Sequence, residues 1–477
     1  MVRTFGLPLF NACHFAKLSP RCRLVPGTPA LTRRSCYLDC VATTQNTTPR
    51  LIVPDLARGL ALLGIAAANA SQAWITDELA YPDQPGWSLG GIRPDSTVDQ
   101  VLAIFAALFV HVRGLPMFST LLGFGIGLVV ASLHRKGYPL GAAKRVVARR
   151  YLWLAAFGLL HTLLMFWGDI MLIYGVIGAI VALLLAASTG TLRIIAYVSI
   201  GISAAFSVFG TVALMIFREL GDATSILQTS PTASFDSPAD YFRENLAAGL
   251  DMFTMLPFSV FTLGGLVLIG VVWAREGYLV DVDRHRRVLV TWTCIAAVVA
   301  LVTGIPLALA ALGVIDPTLE GPLYVFNTAL GPLTGPGILA GLALATNPLQ
   351  KRMYRSYEST GETAAPAWTY PFVALGKRSM SGYLAQSVLF LLLAMPFTLG
   401  LGVGSTITGK TAVAVLVWLI TLVLATLLEA AGAQGPFEQL HRRLAYGRTG
   451  RIEQYQPGGP RELTDPTDPT GAQKQLT

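Results

Sequence analysis

Long apolar runs recur along the chain between short polar loops, and this pattern restricts the possible folds more than any other feature. A helix needs about 20 apolar residues to cross the roughly 30 Å hydrocarbon core of a bilayer. Inside lipid every backbone group must find its hydrogen bond within the chain, so such runs fold as helices. Ten runs fit: 50–74, 115–133, 151–167, 170–187, 192–217, 252–274, 288–312, 322–345, 380–399 and 411–431. A shorter run, 98–111, is expected to be a half-helix feeding the second span, and the Gly/Pro-rich run 322–345 is expected to be kinked or broken. The expected fold is all-α, a polytopic transmembrane helical bundle of about ten spans, between nine and eleven.

Composition agrees. Of 477 residues 53% are hydrophobic and 13% charged, against about 25% charged in a soluble domain. The net charge of +8 would suit a nucleic-acid binder, but the basic residues sit in loops between apolar runs, as the positive-inside rule produces. The expected partner is therefore a lipid bilayer and no nucleic acid. Basic loops alternate with acidic ones, which predicts a multi-pass plasma-membrane protein with both termini cytoplasmic. Cys13, Cys22, Cys36 and Cys40 crowd the first 40 residues and Cys294 lies in an apolar run; none has metal-site spacing, so no metal is expected. Residues 1–49, Arg-rich and nearly free of acids, read as a leader, a disordered tail or an over-extended start, with Val41 a candidate true beginning. Residues 50–448 form the membrane domain, and 449–477, rich in Pro, Gly, Gln and Thr, read as a disordered cytoplasmic tail.

Polar residues inside apolar spans are expensive and mark candidate sites. The run 50–74 carries Asp55, Arg58 and Asn69. Asp55 and Arg58, three residues apart, can pair. Arg58 and Asn69 are 11 residues apart and return to nearly the same helix face. His111 and Arg113 mark the break before the second span. His161 lies in the third span, with Asp169 in the following hairpin. A histidine acts as general base near neutral pH, and a carboxylate can orient it. His161 with Asp169 is thus a candidate base and orienter, but only if the chain bends near Gly168. The same residues also have structural readings: His161 as a hydrogen bond between helices, Asp169 as a helix N-cap, Asp55 with Arg58 as a folding pair. The glycines of GFGIG, from Gly123 to Gly127, follow no soluble strand and are expected to pack helices closely.

Five blocks resemble, in order, the YeiB family of bacterial multi-pass proteins, also called domain of unknown function 418. They are DLARGLALLGIAAAN, RGLPMFSTLLGFGIGL, GLLHTLLMFWGDIMLIYGVIG, GKRSMSGYLAQSVLF and GPFEQLHRRLAYGR. The resemblance spans about Arg50 to Arg448 and departs at Ser381-Gly382, where the family more often has a Thr-Asn-like pair before Tyr383. It implies architecture rather than a reaction. The first span is also similar to that of membrane acyltransferases, one branch of which places a His 11 residues after the Arg. Here that position is Asn69. The heparan-glucosamine acetyltransferase-like branch tends to have Asn there and takes its His from the next segment; the next His here is His111. The similarity implies His161 or His111 as base, with Asp169 beside it. It implies Arg58 near the acyl donor and acyl-CoA as co-substrate rather than bound cofactor; Asp55, Asn69 and Arg113, polar residues within or beside apolar runs, join Arg58 as candidate substrate- or donor-binding residues.

Three readings stand. The chain transfers acyl groups to a cell-envelope glycan or lipid, it transports a small metabolite or lipid, or it is a non-catalytic membrane scaffold.

Overall fold

A computed structural model describes residues 50–75, 79, 84–219, 235, 237–361 and 365–456. The proposed leader (1–49) with its four cysteines, the acids Asp77, Glu78, Asp83, Asp222 and Asp236, and the tail beyond residue 456 lie outside the described residues. Among the described residues every regular element is helical. In chain order these are α1 (Ile52–Asn69), α2 (Thr97–Phe105), α3 (Gly114–Arg135), α4 (Leu140–Leu164), α5 (Met171–Leu184), α6 (Thr189–Glu219) and α7 (Pro238–Glu276). There follow α8 (Arg286–Ala311), α9 (Glu320–Leu330), α10 (Thr334–Thr360), α11 (Thr369–Lys377), α12 (Ser379–Leu393), α13 (Ile407–Ala430) and α14 (Pro436–Tyr446).

Among the described residues seven helical stretches are long and apolar enough to cross a membrane: Ile52–Trp74, Thr97–Arg135, Thr189–Ile216, Pro238–Glu276, Arg286–Ala311, Pro317–Thr360 and Ile407–Ala430. The runs 170–187 and 380–399 are the shorter apolar helices α5 and α12. The run 151–167 is the second half of α4, whose first half carries Lys144, Arg145, Arg149 and Arg150. Two elements differ from the sequence reading. The basic stretch 140–150, expected as loop, is helical, and α10 runs through Pro348 to Thr360, where a loop was expected. In both, positive charges line a helix that outlasts its apolar part.

The helix α1 sits at the centre of many contacts. Gln350 of α10 accepts from the Ile52 N–H at 2.8 Å, Trp418 of α13 donates to the Gly59 carbonyl at 3.1 Å, and Gln386 of α12 donates to the Leu62 carbonyl at 3.3 Å. The helix α11 lies so close that a Cβ on Gly59 would stand 2.3 Å from the Phe372 carbonyl oxygen. The glycines of GFGIG serve packing: a Cβ on Gly123 would fall 1.8 Å from the Val267 carbonyl oxygen of α7. The span through α9 and α10 is broken at a 3-10 turn, Gly331–Leu333, where Pro332 supplies no amide donor. Residues 449–456, read from composition as the start of a tail, pack on the α3–α4 turn. There the Tyr455 amide donates to the Lys136 carbonyl at 2.9 Å, and the ring of Tyr455 lies 5.1 Å from that of Tyr138.

Candidate functional site

The bend between α4 and α5 is built by neighbouring helices. After Leu164 the chain leaves the α conformation, and both Met165 and Phe166 donate to the His161 carbonyl, at 2.9 and 2.8 Å. The start of α7 clamps this turn. Tyr241 donates to the Met165 carbonyl at 2.6 Å; Asn245 accepts from the Trp167 N–H at 2.7 Å and donates to the Thr162 carbonyl at 3.0 Å. The chain thus folds back from Met165 onward, three residues before the expected pivot at Gly168, and Asp169 reaches His161.

Asp169 Oδ1 lies 2.8 Å from His161 Nδ1, and His161 Nε2 lies 2.9 Å from Ser387 Oγ on α12. Exposure is 0% at Asp169 and 3% at both His161 and Ser387. With Asp169 ionised, Nδ1 carries the ring proton, so Nε2 presents its lone pair to the Ser387 hydroxyl. This is the order of contacts in a carboxylate–imidazole–hydroxyl triad. Asp169 Oδ2 also accepts from the Leu172 N–H at 2.7 Å, so the carboxylate caps the start of α5 while its other oxygen holds the His161 ring. Around the triad stand Tyr383, whose ring lies 5.4 Å from that of His161, and Phe166 at 6.2 Å. Trp74 stacks on Phe166 at 4.6 Å and on Phe390 at 5.4 Å, which closes one side with aromatic surface. Ser387, Tyr241 and Asn245 were not singled out in the sequence. No spacing joins a serine in an apolar run to a histidine 226 residues away.

The other expected site residues lie apart from this triad and are not gathered into one site. Asp55 accepts from Arg58 at 3.4 Å, but Arg50 is the nearer cation, at 2.7 Å. Asn69 is half-buried at the end of α1, where the helix passes into a π turn, Ala70–Trp74. His111 belongs to a third cluster: its Nδ1 lies 3.1 Å from Gln72 Nε2, which also donates to the Ser88 carbonyl, while Tyr324 donates to Gln72 Oε1 at 2.6 Å. This amide orientation makes Nδ1 an acceptor, so His111 has an amide beside it where His161 has a carboxylate. Arg113, next along the chain, donates to Asn327 and Thr303. A cleft of about 390 Å³ opens between α8 and α10, lined by Asp283, Arg286, Lys351 and Arg352 and by no residue of the triad. Asp283, exposed there, is held below the usual carboxylate range by its hydrogen bond from Lys351.

Residues 273–448 match the family described as "Protein of unknown function (DUF418)". The uncharacterized protein YxaH of Bacillus subtilis (strain 168) is 30% identical over 155 residues, 31% of this chain and 36% of that protein. The uncharacterized protein YeiB of Escherichia coli (strain K12) is 34% identical over 131 residues, 28% of this chain and 30% of that protein. The matched stretches thus span about a third of each relative's length. Ser387 falls inside the family match, while His161 and Asp169 precede it. Over residues 273–448 the chain is thus similar to the DUF418 family, and its helices are long and apolar enough to span a membrane.

Proposed function

We propose that the chain transfers an acyl group through the Ser387–His161–Asp169 triad, from an acyl thioester such as acyl-CoA to a hydroxyl of a cell-envelope glycan or lipid. The observation that supports this reading is the hydrogen-bonded run from carboxylate to imidazole to hydroxyl, closed off from water among apolar side chains. His161 Nε2 takes the Ser387 proton as Oγ attacks the thioester carbonyl. The C–S bond breaks, the imidazolium returns the proton to the departing thiolate, and Ser387 holds the acyl group as an ester. The acceptor hydroxyl then attacks that ester with His161 again as base, and Ser387 leaves with the proton. Exclusion of water protects the ester from hydrolysis.

The test is intact-mass analysis of detergent-purified protein incubated with acyl-CoA. The wild type should gain one acyl group, mapped to Ser387, and both Ser387→Ala and His161→Ala should gain none while remaining folded. Acylation that persists in Ser387→Ala would overturn the assignment. Turnover without any acyl-enzyme would leave His161 acting directly on the acceptor.

Transport is the second reading, favoured by a different observation. The span containing α9 and α10 is interrupted beside the buried Arg113, and broken helices with polar side chains often line transport sites. Metabolite export that survives Ser387→Ala but is lost on replacing Arg113 would support it.

A further inference from the structure

Arg113 is a buried cation without a buried anion. Its exposure is 3%, and its side chain donates to the carbonyls of Leu108 at 3.0 Å and Ala107 at 3.3 Å. It also donates to Thr303 Oγ1 at 3.2 Å and Asn327 Oδ1 at 2.7 Å. Every one of these acceptors is neutral. Among the described residues no carboxylate forms an ion pair with it. Asp99, at the start of the same span, accepts from Thr406 and lies 3.7 Å from Arg93; Glu320 accepts from the Ser88 amide and hydroxyl at 2.9 and 2.7 Å. A guanidinium stays protonated in proteins, and an uncompensated charge in a bundle of apolar helices is costly unless something supplies the opposite sign.

Two donors in this cluster are left over. Arg113 Nη1 and Asn327 Nδ2 are both buried with no hydrogen-bond partner. The amide of Asn327 cannot turn to help, because its Oδ1 already accepts from Arg113 and, at 2.9 Å, from Thr303. Gly331 packs directly on Nη1: a Cβ there would stand 2.8 Å from Nη1 and 2.9 Å from the Val112 Cβ, so any side chain at this position would crowd the unpaired donor. The backbone is also unusual here. A π turn, Ala106–Val110, leads in, and Val112 has φ +57°, a conformation a β-branched residue adopts only at a cost.

We infer that Arg113, Asn327 and Gly331 form a binding site for a small oxyanion, the carboxylate of an organic acid or a phosphate group, at the break between α2 and α3. The ligand would accept from Nη1 and Nδ2 and neutralise the guanidinium, as oxyanions do in charge-assisted pairs. This inference does not rest on the acyl-transfer reading, since the site shares no residue with the triad.

The test uses the full-length protein in detergent. Its melting temperature is measured in sodium chloride, acetate and phosphate at equal ionic strength and pH, for the wild type, Gly331→Ala and Asn327→Asp. The wild type should melt several degrees higher in one of the two oxyanions than in chloride, with acetate marking a carboxylate site and phosphate a phosphate site. Gly331→Ala, whose methyl group would crowd Nη1, should lose that difference. Asn327→Asp builds a carboxylate beside the guanidinium, so it should melt higher than the wild type in chloride and ignore the oxyanion. Identical melting of the wild type in all three salts would overturn the inference. So would an oxyanion shift that persists undiminished in both variants, which would mark a general salt effect. If Gly331→Ala does not fold, Asn327→Asp decides: no gain in chloride together with a retained oxyanion shift overturns the site.

Discussion

Asp169 shows how much one side chain can be asked to do. Its two oxygens serve two N–H donors, His161 Nδ1 at 2.8 Å and the Leu172 amide at 2.7 Å. An asparagine has only one acceptor oxygen and must abandon one of them. If it keeps the imidazole, α5 loses its cap, at a cost of about 1 kcal/mol. If it keeps the cap, its NH₂ faces Nδ1, the ring proton moves to Nε2, and the Ser387 hydroxyl loses its acceptor. Asp169→Asn should therefore remain folded with a slightly lower melting temperature, and acyl transfer should fall roughly 10²–10⁴-fold, as when a general base is misaligned. Unchanged turnover in a purified, folded Asp169→Asn would leave the triad only a structural part. The sequence made this pair legible because His161 and Asp169 are eight residues apart on one hairpin. Ser387 was not legible, nor were Asn327 and Thr303 around Arg113, 214 and 190 residues away from it. A serine or threonine in an apolar helix carries no signal until tertiary packing chooses its neighbour.

At the scale of elements, α14 was legible as a polar closing block, but its docking was not. It lies on α4: Arg149 donates to the Ala445 carbonyl at 2.7 Å, and Arg150 donates to the Tyr446 hydroxyl at 2.8 Å. His441 Nε2 lies 2.7 Å from the Arg150 carbonyl, to which it donates. These contacts exist because α4 begins at Leu140; its basic first half is the platform for α14, and charge counting alone cannot tell such a platform from a loop. Burial pushes His441 down to about 4, with the nearby Arg150 guanidinium adding to the effect. The native state therefore holds this imidazole neutral, below its unfolded value of about 6.5. The stabilisation is full above about pH 6.5 and is lost as pH falls toward 4, because the unfolded chain takes up a proton that the docked helix refuses. Melting temperature should fall across that window, and His441→Gln, whose amide can still donate to Arg150 but does not titrate, should flatten the fall. Parallel pH profiles for the two proteins would place the acid sensitivity elsewhere.

At the scale of the molecule, the connecting segments sort by charge onto two ends of the bundle. One end holds Arg50, the α3–α4 turn with Lys136, and α14 with the strand of residues that follows it; Lys136 bonds the Ile452 carbonyl across this face. The other end holds Asp99, the 84–96 segment, Asp169 and Glu320. There the Ile407 amide donates to the Gly91 carbonyl at 2.9 Å and Thr406 donates to Asp99 at 2.8 Å. The first end holds these basic residues and the second these acids, so the positive-inside rule would put the first end in the cytoplasm. The triad and the Arg113 site both lie toward the acidic end, which is where an acceptor in the cell envelope would have to arrive. Orientation is therefore the property on which the envelope-acceptor reading depends. In a cysteine-free background, Val314→Cys, exposed in the α8–α9 turn, should react with a membrane-impermeant maleimide added to intact cells. Arg451→Cys, exposed on the basic face, should react only after the membrane is opened. The reverse pattern would put the triad's end of the bundle in the cytoplasm. An envelope acceptor could not reach it there, and the hydroxyl that receives the acyl group would have to be sought inside the cell.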